Sequence, residues 1–364
     1  MGAGQPCLIV AELGTSHEGD YDTGRSLIEA AVRSGADCIK LQLVHADEIL
    51  HPRSGLVELP TGRVALYERF KSLERDIGFF RRLKEHVESA GALFLCTPFG
   101  IRSARELRSL GVKALKIASP ELNHFPLLEE AAGYGIPLFL SSGVSTLGDI
   151  ERALEITGKR TSVLLHCVTS YPALEEEYNV SVLAGLRALF GVEVGLSDHS
   201  LDPLLVPAAA VLCGACVVEK HFTLSRAGKG LDDPIGLEPS AFARMVQGIR
   251  EAESAGPEAA RARLDRDYGA ARVAAVLGTG VKELAPSERS NYARTNRSIH
   301  ALRAIPAGSV IGPSDIAVLR TEKVLRPGLG PEHLRLVTGA CARRPIPAGE
   351  GVEWADIVEG RPSG

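Results

Sequence analysis

Aromatic residues are scarce in this chain, at 5% of its 364 positions, with one tryptophan and two methionines. Its core therefore has to be built from Leu, Val, Ile and Ala. Charge of neither sign dominates: 41 Lys and Arg against 45 Asp and Glu leave a formal net charge of −4. That balance supplies no global attraction to nucleic acid or to an anionic membrane, so an anionic ligand has to be held by locally placed cations. The longest apolar run, Pro203–Val218, is short for a membrane span and is interrupted by Pro207 and Gly214. The opening MGAGQPCLIVAEL has no basic start and no cleavage site, and Pro6 stands where a myristoylation signal needs Ser or Thr. A soluble, cytoplasmic protein is the expectation. Seven cysteines, an odd number scattered from Cys7 to Cys341, do not make a disulfide framework and point to a reducing compartment. Cys213 and Cys216 form a C-x-x-C with no second pair or histidine nearby, and read as small core residues.

What is present is a rhythm. Short apolar, β-branched runs at 7–13, 38–44, 93–98, 114–119, 137–143, 162–168, 193–199 and 216–223 alternate with helical periodicity. Nearly continuous apolar character suits strands buried on both faces, as in parallel sheets. Several helical segments end in glycine just before the next run, at Gly35, Gly91, Gly111, Gly135 and Gly214, as a left-handed helix terminus requires. Eight such units within about 250 residues match a closed (β/α)8 barrel. The competing open doubly wound sheet lacks a G-x-G-x-x-G after the first strand. The expected division is a catalytic barrel over 1–256, a partly helical linker over 257–295, and a small β-rich module over 296–364. In that module Ile305-Pro306-Ala307-Gly308 with Asp315-Ile316 repeats as Ile346-Pro347-Ala348-Gly349 with Asp356-Ile357 at the same spacing.

In such barrels chemistry sits at the C-terminal strand ends, and polar residues gather there on every strand. They are Glu12; Lys40 and Gln42; Thr97; Lys116 and Ser119; Ser141 and Ser142; His166; Ser197, Asp198 and His199; and Glu219 with His221. Buried Lys40 and Lys116 carry a desolvation cost unless an anion pairs with them, so a small, multiply charged substrate is implied. His199 and His221 end adjacent strands, and with Glu12, Asp198 or Asp232 nearby they suit Mn²⁺ or Mg²⁺ with open positions for water and substrate.

The stretches AELGTSHEGD, IKLQLV, FLCTPF, LKIASPELNHFPLL, LSSGVS, HCVTSYP, GLSDHS, VVEKHFTL and GLDDPIGLEP, in this order, resemble the N-acetylneuraminate (sialic acid) synthase family. RSIHALRAIPAGSVIGPSDI through PIPAGEGVEWADI resembles that family's antifreeze-like (SAF) domain. The resemblance implies metal-dependent condensation of phosphoenolpyruvate with an open-chain N-acetylated hexose such as N-acetylmannosamine, giving a nine-carbon 2-keto acid and phosphate. Residue by residue, it assigns phosphoenolpyruvate to Lys40, Thr97, Lys116, Ser119, Ser141 and Ser197. It assigns the metal to His199 and His221, and the sugar's surroundings to Glu12, Gln42, Tyr171 and Asp232, with Glu12 and Asp232 as proton-transfer candidates. Arg297 matches an arginine that reaches the acetamido group in a partner subunit, which implies a homodimer with a swapped SAF domain. Three departures, Ser16 before His17, Thr169 at a substrate position where the family often has Asn, and Pro120, cluster at the substrate mouth. They favour a diacetamido sugar of the legionaminic or pseudaminic type as the alternative substrate. The rival functions are a Schiff-base aldolase using Lys40 or Lys116, and a non-catalytic carbohydrate-binding protein.

Overall fold

The computed structural model describes residues 2, 4–59, 62–322 and 324–358. Its centre is a parallel sheet of eight strands: β1 (Leu8–Gly14), β2 (Cys38–Leu43), β3 (Leu93–Pro98), β4 (Leu115–Ile117), β5 (Leu138–Ser141), β6 (Ser162–Cys167), β7 (Glu193–Asp198) and β8 (Val217–His221). The ladder runs β3-β2-β1-β8-β7-β6-β5-β4, and its two end strands lie against each other to complete the ring. This is the expected TIM-like barrel. Gly35 and Gly214 take φ of 95° and 87° at helix ends, the left-handed turns that reverse the chain into β2 and β8.

Side-chain alternation explains where the chemistry falls. Along each strand, every second residue points into the barrel. An interior layer including Val10, Cys38, Leu95, Phe139, Val163, Leu165 and Val217 fills the lower part. Two residues further along the same strands stand Glu12, Lys40, Thr97, Ser141, Cys167 and Glu219, the next inward layer. The opposite parity, including Ile9, Ala11, Leu13, Ile39 and Leu41, packs outward into the main core under the helices. Glu12 is level with Lys40 on one side and His221 on the other, and Gln42 is level with Thr97. Between β2 and β3 the chain adds a short antiparallel hairpin, Leu56–Leu59 with Gly62–Ala65, and a helix Leu66–Leu73.

Helices Pro257–Tyr268 and Ala270–Leu277 follow the last barrel helix, and their Leu264, Val273 and Val276 join the main core. The C-terminal module has its own core, centred on Ile299, Ile305, Ile316, Ile346 and Val352. Among its described residues it contains one antiparallel strand pair, β9 (Arg297–Ala301) with β10 (Ile316–Arg320). The near-repeat is structural as well: Ile305 bridges Ile346, and Arg303–Asp315 and Arg344–Asp356 form matching ion pairs twelve residues apart in sequence. Residues 359–364 of the expected 296–364 module lie outside the described residues. The module sits on the barrel of its own chain, where Arg320 bridges Leu50 and the Asn123 side chain bonds both peptide groups of Arg297. Among the described residues no helix is long and apolar enough to cross a membrane.

Candidate active site

The upper inward layer opens into a cavity of about 240 Å³ at the C-terminal end of the strands. At its floor Glu219 Oε1 lies 2.9 Å from Lys40 Nζ and 3.2 Å from Lys116 Nζ, and accepts the Ser197 hydroxyl at 3.1 Å. Two buried ammonium groups thus share one oxygen atom. Lys40 also lies 3.2 Å from Glu12 Oε2, while Glu12 Oε1 accepts from Gln42 Nε2 at 2.6 Å. Burial alone raises the Glu219 carboxyl, but Lys116 and Lys40 outweigh it and draw the group down to about 2. Burial disfavours both ammonium groups. Glu12 and Glu219 more than restore Lys40, whereas Lys116 stays lowered. For Glu12 burial prevails over Lys40, and its carboxyl is raised.

Lys116 is thus the under-compensated cation of the floor. The Thr97, Ser141 and Thr169 hydroxyl oxygens are buried without a hydrogen-bond partner. Polar atoms in that state are costly unless a ligand completes them. An under-compensated ammonium beside unsatisfied hydroxyls is a receptor for a small anion.

On the other side of the cavity the His199 and His221 rings lie 5.3 Å apart, and Tyr171 stacks on His199 at 4.3 Å. His199 Nδ1 donates to Val168 O at 2.8 Å, so Nε2 is the ring nitrogen turned to the cavity. Burial disfavours the charged ring, but Cys167 and Val168 O outweigh it and the group is raised. Burial, with the neighbouring His199, holds His221 well below the ordinary imidazole value, which favours the neutral form that binds metals. Asp232 Oδ2 is 3.9 Å from His221 Nδ1. Among the described residues no three His, Cys, Asp or Glu side chains converge as a complete cage. Two imidazoles facing a cavity fit an open divalent site rather than a closed one.

Of the residues singled out in the sequence, Glu12, Lys40, Gln42, Thr97, Lys116, Ser119, Ser141, Tyr171, Ser197, His199, His221 and Asp232 all line this cavity. Thr169 stands just behind it, with its N–H on Glu288. Arg297 is elsewhere. Its guanidinium is fully buried, donating to Glu121 Oε1 at 3.1 and 2.7 Å and to Phe99 O at 2.8 Å, and burial pulls it down to about 10. The arginine that lines the cavity is Arg320, held at 2.7 Å by the same Glu121 oxygen. Asp198 and His166 also face away, for they have the outward parity. Asp198 pairs with Lys220 at 2.6 Å, and His166 Nε2 bonds Tyr178 O at 2.6 Å. Sequence reasoning missed Arg320 and the apolar wall of Leu66, Phe70, Leu231 and Ile235, because these come from the added helix, a loop and the C-terminal module. The sequence carries no local signal for Arg320, because only the fold sets it directly opposite Arg297 across β9 and β10. Like charges so placed repel unless an anion lies between them.

Residues 27–260 match the NeuB family and residues 296–358 match the SAF domain. The N,N'-diacetyllegionaminic acid synthase of Legionella pneumophila is 32% identical over 367 residues, covering 98% of this chain and 96% of that protein. The N-acetylneuraminate-9-phosphate synthase of Homo sapiens is 29% identical over 318 residues, covering 85% and 82%. Among solved structures, spore coat polysaccharide biosynthesis protein SpsE of Bacillus subtilis superimposes with a TM-score of 0.83 at 33% identity, covering 99% of this chain and 97% of that one. The similarity takes in the strand ends that build the cavity and the module that supplies Arg320, and on it the chain belongs to the NeuB family of sialic, legionaminic and pseudaminic acid synthase-like proteins, with a C-terminal SAF domain.

Proposed function

We propose that this chain condenses phosphoenolpyruvate with an acetamido sugar, releasing phosphate and forming a nine-carbon 2-keto sugar acid. The observation that carries this is the pair of buried ammonium groups, Lys40 and Lys116, within 3.2 Å of one Glu219 oxygen and beside the unpartnered Thr97 and Ser141 hydroxyls. Each ammonium has three donors, so both retain N–H groups for the phosphate and carboxylate of the substrate while Glu219 fixes their positions. Charge-assisted bonds of that kind both bind and orient.

In the reaction, C3 of phosphoenolpyruvate bonds to the aldehyde carbon of the open-chain sugar, whose oxygen gains a proton. Water then adds at C2, and the C–O bond to phosphate breaks. Mn²⁺ or Mg²⁺ held by His199 and His221 supplies Lewis acidity at the sugar's oxygen when bound. Glu12, raised by burial, and Asp232 are the cavity carboxyl groups for proton transfer. Gln42 orients Glu12, and Tyr171 holds the plane of His199.

The wall of Leu66, Phe70, Leu231 and Ile235 favours a sugar with an apolar end, and so a diacetamido trideoxy sugar of the legionaminic type over a phosphorylated hexose. Arg320, which lines the same cavity, is already engaged by Glu121. The test is phosphate release from phosphoenolpyruvate with N-acetylmannosamine, its 6-phosphate and diacetamido trideoxy hexoses, with and without Mn²⁺. The expected result is metal-dependent release, greatest with a diacetamido sugar. No release with any sugar sinks the synthase reading, and covalent trapping of a keto substrate by borohydride would establish the aldolase instead.

A further inference from the structure

Residues 282–296 join the last barrel helices to the SAF domain, and their side chains fasten the loop that follows β5. Lys282 Nζ donates to Ser142 O at 3.2 Å, Glu288 Oε1 accepts from Val144 N at 2.7 Å, and Asn296 Nδ2 donates to Val144 O at 3.0 Å. The same Glu288 oxygen accepts the Thr169 N–H, from the loop after β6, at 2.7 Å. Its other oxygen accepts the Ala285 N–H of its own turn at 3.2 Å. Glu288 is 1% exposed. One buried carboxylate oxygen thus ties two barrel loops together through bonds of the charge-assisted kind, which gain strength where water is excluded.

The loop requires such a hold. Val144, β-branched and fully buried, has φ 44°. Left-handed backbone at a residue of that type is strained and persists only where its surroundings over-determine it. Gly143 has no slack either: a Cβ there would collide with Thr169 Oγ1 and approach Ser119 Oγ to 2.9 Å and Glu288 Oε1 to 3.1 Å. The Gly143 N–H donates to Ser119 Oγ at 3.0 Å. Ser119 and Ser141 line the cavity, and Thr169 stands behind it with an unpartnered hydroxyl. The Ser119 hydroxyl, through Gly143, and the Thr169 backbone therefore refer back to a carboxylate that does not itself line the cavity.

We propose that Glu288 is a positioning residue: from the inter-domain segment it locks the loops after β5 and β6 so that the Ser119 hydroxyl, with Thr169 behind it, is set for the anionic substrate. The clamp stands on geometry alone, and only its kinetic consequence rests on the synthase reading. The variants are Glu288→Ala, which removes both acceptors, and Glu288→Gln, which keeps the size and one acceptor oxygen.

In the full-length protein, hydrogen exchange followed by mass spectrometry should show amides of 142–146 and 168–171 exchanging about tenfold faster or more in Glu288→Ala, with β1 and β2 changed less than about twofold. Glu288→Gln should fall between. KM for phosphoenolpyruvate should rise about tenfold in Glu288→Ala, largely recover in Glu288→Gln, and leave the sugar KM within about threefold. Unchanged exchange in these loops overturns the clamp. Faster exchange with an unchanged phosphoenolpyruvate KM overturns the positioning role. A wild type that releases no phosphate removes the kinetic half together with the synthase reading, while the exchange experiment still decides whether Glu288 holds the loops. Should Glu288→Ala fail to fold, Glu288→Gln with Asn296→Ala decides it by the same exchange measurement.

Discussion

Glu219 and Lys116 show how differently two members of one buried cluster respond to removal. Replacing Glu219 by Gln leaves Lys116 with no anion within reach, and an unpaired buried charge costs about 3–5 kcal/mol. Urea unfolding at pH 7 should show a loss of that order. Its pH dependence follows from the depressed carboxyl. The folded value, about 2, lies below the ordinary 4.5, so the stabilisation is complete above pH 4.5 and disappears as pH falls through 2. The gap between wild type and Glu219→Gln should close across that window, and a constant gap would show that Glu219 is not an ion in the fold. Lys116→Met, by contrast, leaves Glu219 paired with Lys40. We expect stability within about 1 kcal/mol of wild type by the same measurement, together with a phosphoenolpyruvate KM raised about a hundredfold in steady-state assays.

For the strands, the alternation of side chains decides which polar residues reach the cavity. The sequence shows polar groups on all eight strand ends, but it does not say which parity faces inward. In a parallel barrel both faces are buried, so hydrophobicity does not alternate to mark them. That is why His166 and Asp198 look like candidates beside Ser197 and His199, although they point the other way. Inward parity also explains Gly195 on β7. A Cβ there would lie 2.6 Å from Val217 O and 2.8 Å from Leu165 Cδ2, inside a filled barrel. Gly195→Ala should therefore cost about 1–3 kcal/mol through overpacking, read as a lowered midpoint in thermal unfolding monitored by circular dichroism. An unchanged midpoint would mean that the inward layer has room for a methyl group at Gly195.

At the level of the whole molecule, the C-terminal module and the barrel meet at a buried Arg297–Glu121–Arg320 cluster, in which one Glu121 oxygen accepts from both guanidinium groups at 2.7 Å. Arg297 fastens the module and Arg320 faces the cavity. Arg320→Ala should raise the sugar KM about tenfold with the phosphoenolpyruvate KM changed less than about threefold, and equal loss for both substrates would contradict this placement. Because Arg320 reaches the cavity of its own chain, mixing Arg320→Ala with Lys116→Met should restore no activity. Recovery on mixing would show instead the swapped homodimer that the family resemblance implies. The sequence by itself determined the barrel, the near-repeat module and most of the residues of the cavity, because strand rhythm, glycine turns and motif order are local in the chain. Tertiary structure alone decided that Glu219 is the shared counter-ion, that Arg320 rather than Arg297 lines the cavity, and that Glu288 holds two distant loops. Each of these depends on contacts between residues some 20 to 200 positions apart, and no local pattern encodes which buried charge will find which partner.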